Sequence, residues 1–141
     1  VTYAFDTDIF TLLTKGHARV TARYEVAVIA GDNLFGIPAM VWVEVVRGRC
    51  DGIKASATSE ELLSNFVRLE FSERQLARFA RMPITDEAAE VFDRHKKSKL
   101  KIKQSDLIIA CICLAHDATL VTRNLKDFKL VPGLKFENWA D

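Results

Sequence analysis

The chain has 141 residues, 49% of them hydrophobic, with 20 Lys+Arg against 19 Asp+Glu. That length suits about one domain around a single core, and the balanced charge excludes a global field that attracts nucleic acid, so any basic surface must be local. The longest apolar stretch, Leu107 to Ala115, is nine residues, well short of the ~20 a membrane-spanning helix needs.

No basic stretch followed by an apolar one opens the sequence, which argues against a secretory signal. The cysteines Cys50, Cys111 and Cys113 are odd in number and make no CxxC or Cys/His metal spacing. Cys111 and Cys113 would point about 200° apart on a helix, which suits packing rather than bridging. Reduced thiols in a cytoplasmic protein are expected.

In chain order, the apolar run Thr2-Tyr3-Ala4-Phe5 predicts a buried strand that ends on two carboxylates, Asp6 and Asp8. The carboxyl end of a central strand in an open α/β sheet is where ligands and chemistry collect. Helical patterns follow over Ile9 to Thr14 and Ala18 to Ala30, with a turn at Gly31-Asp32-Asn33. Leu34 to Ile37 predicts a short buried strand ending at Pro38. Ala39 to Val46 is ambiguous: its β-branched content favours a strand, while Pro38 before it and Gly48 after it fit helix start and stop signals. Glu44 is the one charge in that run, and a buried carboxylate needs a cation, a proton or water.

Asp51 to Ser59 is small and polar and predicts a loop. Glu60 to Ala80 carries helical spacing, as one long helix or a pair, and Arg81 to Ile84 predicts an edge strand that tolerates Pro83. Thr85 caps a helix running to about Ser98. A basic run follows: Arg94, His95, Lys96, Lys97, Lys99, Lys101 and Lys103. It is either a solvated helix end and loop or a phosphate-contacting surface. Ser105 is expected to cap a broadly buried helix over Asp106 to Asp117. Ala118 to Thr122 predicts a central strand, Leu125 to Phe128 a short helical turn and Leu134 to Glu137 a last strand. Strands alternating with helices argue for an α/β fold, a parallel sheet covered on both faces.

Four acids stand out by position: Asp6, Glu44, Asp106 and Asp127. Each has a bland role available, Asp106 complementing a helix dipole and Asp127 sitting in a turn. Together the words Phe5-Asp6-Thr7-Asp8, Val43-Glu44-Val45-Val46-Arg47-Gly48, Ser105-Asp106-Leu107-Ile108-Ile109-Ala110 and Thr122-Arg123-Asn124-Leu125-Lys126-Asp127-Phe128 come in an order and spacing that resembles PIN-domain ribonucleases of the VapC type, the toxin half of a toxin–antitoxin pair. The tail Val131-Pro132-Gly133-Leu134 with Glu137-Asn138-Trp139 fits as well, so the resemblance covers the whole chain as one PIN domain over residues 1–141.

The resemblance implies a three-layer α/β/α fold with a central five-stranded parallel sheet, and it makes Val41 to Val46 helical. It implies that Asp6, Glu44, Asp106 and Asp127 are catalytic acids that hold metal, supported by Thr122 and Asn124. Asp8 stands where the family more often has Asn and adds a fifth negative charge. Val41 stands where Thr or Ser is common, which removes one local hydrogen bond. The implied partners are an RNA substrate, a VapB-like antitoxin and a second copy of the chain in a homodimer.

The chemistry agrees with that placement. Crowded carboxylates raise one another's pKa unless a cation intervenes, and hard oxygen donors select Mg²⁺, with Mn²⁺ able to substitute. Such ions activate water and offset charge developing on a phosphodiester, so RNA hydrolysis with water as nucleophile and no covalent intermediate is the expected reaction. Arg47 and Arg123, beside motif acids, are candidates for steering the RNA backbone. A haloacid dehalogenase-like phosphotransferase using Asp6 and Asp8 is a rival, weakened because Ile9-Phe10 follows where that motif continues DxDGT or DxDxT. A PIN-like module that binds RNA or protein without cutting is the other, weakened because none of the four acids is lost. His17, His95 and His116 form no metal or triad spacing and are read as structural or surface. Trp42, Phe35, Phe66 and Phe79 are read as packing residues.

Overall fold

The computed structural model describes residues 1–141. In chain order the elements are β1 (Thr2–Phe5), α1 (Thr7–Thr14), α2 (Ala18–Ile29), β2 (Leu34–Pro38), α3 (Ala39–Lys54), α4 (Ser59–Leu76), β3 (Ala80–Met82), α5 (Asp86–Lys97), α6 (Gln104–Ala115), β4 (Thr119–Val121), α7 (Leu125–Phe128) and β5 (Lys135–Glu137). The five strands form one parallel sheet in the order β3-β2-β1-β4-β5, so β1 is central. The chain leaves β1 toward β2 and β3 on one side and later returns to its other side with β4 and β5. The crevice beyond the carboxyl ends of β1 and β4 is therefore a topological switch point, where open α/β sheets place ligands.

The sheet sits in a core of 25 buried residues. Phe5 is its hub: completely buried, its ring meets Tyr24, Phe35, Phe79 and Trp139 at centroid separations of 5.5 to 6.1 Å. α6 buries Leu107, Ile109, Ala110, Cys111, Ile112 and Cys113, the broad apolar face its sequence predicts. Burial pushes the Cys111 thiol up to about 11 and raises that of Cys113 further, so both are inert packing groups. β2 approaches β3 closely at Gly36, where a Cβ would lie 2.6 Å from Met82 Sδ and 3.3 Å from the Ala80 carbonyl oxygen.

Several boundaries differ from the sequence expectation. The ambiguous stretch is helix, and α3 runs through Gly48 and on to Lys54, across the first four residues of the loop expected from Asp51. Packing against α4, a single helix, overrides those weak formers: Asn65 of α4 donates to the Gly52 carbonyl at 3.0 Å, and Arg49 donates to Ser72 at 2.9 Å. β3 ends at Met82, because Pro83 has no N–H to extend the ladder. α6 begins at Gln104 with Lys103 as its N-cap, which leaves the expected cap Ser105 inside the first turn. Phe79 is buried, whereas Phe66 is 46% exposed on α4. His17 caps α2, and His95 and His116 bond backbone carbonyls one turn back, all structural roles.

Candidate active site

Asp6 follows the last residue of β1 and caps α1. Its Oδ1 accepts the Ile9 N–H at 2.9 Å, and its Oδ2 accepts the Thr122 hydroxyl at 2.5 Å. Thr122, fully buried just past β4, also accepts the Asn124 N–H at 2.9 Å, so one hydroxyl ties the ends of the two central strands together. Burial raises the Asp6 carboxyl to about 6; the two hydrogen bonds oppose that shift, and the nearby charges of Asp8 and Asp106 add to it.

The other acids arrive from separate elements. Glu44, on α3, accepts the Thr7 hydroxyl at 2.9 Å. Asp106 lies in the first turn of α6, where its charge suits the helix dipole. Its pKa is raised, by burial first and then by the charges of Glu44 and Asp127, with the Lys103 charge opposing the shift. Asn124 donates to Asp127 at 3.0 Å and to Asp106 at 3.4 Å, bridging two carboxylates. Asp6, Asp8, Glu44, Asp106 and Asn124 line one cavity of about 240 Å³, together with Thr7, Lys103, Ser105 and Ile109. Asp127 stands behind Asn124 rather than on that wall.

Thr7, Lys103 and Ser105 were not singled out as site residues by sequence. Thr7 lies inside the Asp6-Thr7-Asp8 word and Ser105 beside Asp106, so adjacency was their signal, whereas Lys103 belongs to the basic run that the sequence offers as a phosphate-contacting surface. Of the two arginines, Arg123 meets Asp8 at 3.9 Å and Asp141 at 3.5 Å, while Arg47 is exposed on α3 with no ion pair.

No Lys or Arg lies within ion-pair distance of Asp6, Glu44, Asp106 or Asp127; all three ion pairs of the chain involve other acids. No three acidic, His or Cys side chains are drawn together into a closed ligand cluster. The arrangement is an open, mostly oxygen-lined pocket in which four carboxylates outnumber the one cation, Lys103. Its donor chemistry fits a hard divalent cation such as Mg²⁺ or Mn²⁺, with Asp6, Glu44 and Asp106 as the groups that could hold it and Asp127 within reach through Asn124.

The PIN domain family model matches residues 3–134 of this sequence. The chain belongs to the PIN-domain family. Among its relatives, Ribonuclease VapC2 of Rickettsia felis is 29% identical over 140 residues, covering 97% of each chain. Ribonuclease VapC1 of Haemophilus influenzae (strain R2866) is 25% identical over 141 residues, covering 98% of each. The toxin–antitoxin complex VapBC2 from Rickettsia felis, crystallised on a DNA fragment from its promoter, contains a chain that superposes with TM-score 0.75 at 26% identity over 99% of both. VapBC-1 from nontypeable Haemophilus influenzae gives the same TM-score at 20% identity, a likeness of fold. The observed five-stranded parallel sheet between helices is the PIN fold that the sequence resemblance implies.

Proposed function

We propose that this PIN domain is a metal-dependent endoribonuclease that hydrolyses RNA phosphodiester bonds, and that it is the VapC-type toxin of a toxin–antitoxin pair. The observation that carries this reading is the set of carboxylates from β1, α3 and α6, none of them in an ion pair, around one cavity at the sheet's switch point, in a chain whose relatives are named ribonucleases. Bound there, Mg²⁺ or Mn²⁺ supplies Lewis-acid chemistry toward water and phosphodiester.

The chain's own residues do the positioning. Thr122 and the Ile9 N–H fix both oxygens of Asp6, Thr7 orients Glu44, and Asn124 holds Asp106 and Asp127 in a common geometry. Asp8, in this reading, adds charge at the rim while restraining Arg123. Cleavage of single-stranded RNA in Mg²⁺, its loss in EDTA and its loss in Asp6→Asn together test the reading. Full activity in metal-stripped protein contradicts it.

Partner binding has its own support. An apolar groove of about 390 Å³ between α3, α5 and α6 is lined by Met40, Val43, Ile84, Phe92 and Ile108. On α4, Leu63 and Val67 are 70% and 61% exposed. We assign the groove and this face of α4 to contacts with an antitoxin and a second copy of the chain. No helix is long and apolar enough to cross a membrane, and we place the protein in the cytoplasm. Co-expression with the antitoxin should suppress cleavage, and proteolysis of the antitoxin should restore it.

A further inference from the structure

Residues 94–103, which end α5 and lead into α6, hold six of the chain's 20 Lys+Arg and none of its 19 Asp+Glu. Since the whole chain carries a net charge of only +1, the remaining surface is net acidic, and this segment is its cationic exception. None of its lysines or its arginine is spent in an ion pair.

Helix chemistry accounts for half of the segment. Arg94, His95, Lys96 and Lys97 occupy the last turn of α5, where cations favour the dipole. It does not account for the rest. Lys99 adopts a left-handed backbone (φ 53°), a conformation that disfavours a side-chain-bearing residue. From there burial alternates: Leu100 and Ile102 pack against the core, and Lys99, Lys101 and Lys103 face solvent. Lys103 sits at the N-cap of α6 without a capping hydrogen bond, where a cation opposes the dipole and Ser, Thr, Asp or Asn is preferred. Yet Lys103 forms part of the wall of the carboxylate cavity. Its charge is attracted to Asp106, but Lys99 and Lys101 face solvent with no acid paired to them, so an exposed file of cations runs up to the mouth of the pocket, an arrangement that suits a polyanionic ligand.

We infer that Lys99, Lys101 and Lys103 form a phosphate track that holds the RNA backbone on one side of the scissile bond and leads it into the cavity. This rests on the nuclease reading and adds the face by which the substrate enters. Arg123, occupied by Asp8 and Asp141, is not part of that track.

The test uses the full chain carrying Asp6→Asn, which retains a capping side chain but should not cleave, and a labelled mixed-sequence single-stranded RNA. Dissociation constants are measured across a salt series with and without Lys99→Gln, Lys101→Gln and Lys103→Gln combined. Each phosphate contact on a single strand contributes about 0.7 to the log–log salt slope, so the triple variant should bind more weakly with a slope smaller by about 2. Its melting temperature should change little, because the unfavourable place of Lys103 at the N-terminus of α6 offsets its attraction to Asp106. Unchanged affinity and slope overturn the track, as does loss of antitoxin binding with RNA binding intact. Cleavage by the parent chain is measured alongside: its absence is a failure of the nuclease reading, whereas intact cleavage with an unchanged slope is a failure of the track alone.

Discussion

Phe5 and Asp6 are neighbours in the chain and opposites in what they do. Phe5 closes β1 inside a ring of four aromatic side chains and is completely buried. Asp6, one residue on, is also buried, yet burial penalises its charge and two further acids nearby add to the penalty. One residue contributes fold stability; the next draws on it. The aromatic region is closely packed, while the carboxylate region lines an open cavity, its members oriented by hydroxyl and amide donors rather than by ion pairs.

The largest expected difference between the two regions is catalytic. Asp106→Asn should reduce RNA cleavage below detection while leaving the melting temperature unchanged or raised, because it removes one of several repelling charges. A gel-based cleavage assay beside a thermal melt reads both. Cleavage that persists in this variant would remove Asp106 from the site.

Phe5→Ala should do the reverse. It is expected to cost about 3–5 kcal/mol of stability through the cavity it leaves, measured by denaturant unfolding. A loss below ~1 kcal/mol would mean that the aromatic ring is not the keystone of the core.

The pH dependence of the metal-free protein separates the regions further. The folded Asp6 carboxyl titrates at about 6 against 3.8 for an unperturbed one. Between those values the folded chain keeps a proton that the unfolded chain has released, so stability falls as pH rises from about 4 to beyond 6, by about 3 kcal/mol from this group. Asp6→Asn should flatten that part of the profile, and a parent protein that gains stability over the same interval would contradict the assignment. The smallest effect is expected at Thr7. Thr7→Val removes the hydroxyl that orients Glu44 and should cost about 1 kcal/mol or less in stability while slowing cleavage measurably; unchanged cleavage would make that contact incidental.

The sequence was most informative where one residue must satisfy one strong constraint. Asp6 after an apolar strand, Thr85 as a cap and the buried face of α6 were all legible, because burial and capping act locally. The four acids were legible through their joint order and spacing rather than through any one of them. The course of α3 past Gly48 was not, since its continuation depends on α4 packing against it and on the Asn65 and Arg49 hydrogen bonds. Nor was the role of Thr7, whose partner lies 37 residues away. Lys103 was legible as a charge but not as a wall of the cavity, because its place at the N-cap of α6 runs against the preference that pointed to Ser105.

The most direct measurement is a Mn²⁺ titration of metal-free protein, with unbound ion followed by its electron paramagnetic resonance signal. The parent chain should take up the ion saturably, Mg²⁺ should compete for it, and Asp6→Asn or Asp106→Asn should weaken uptake severely. A parent chain that leaves the free Mn²⁺ signal untouched, or variants that bind as the parent does, would show that these carboxylates gather for some other purpose.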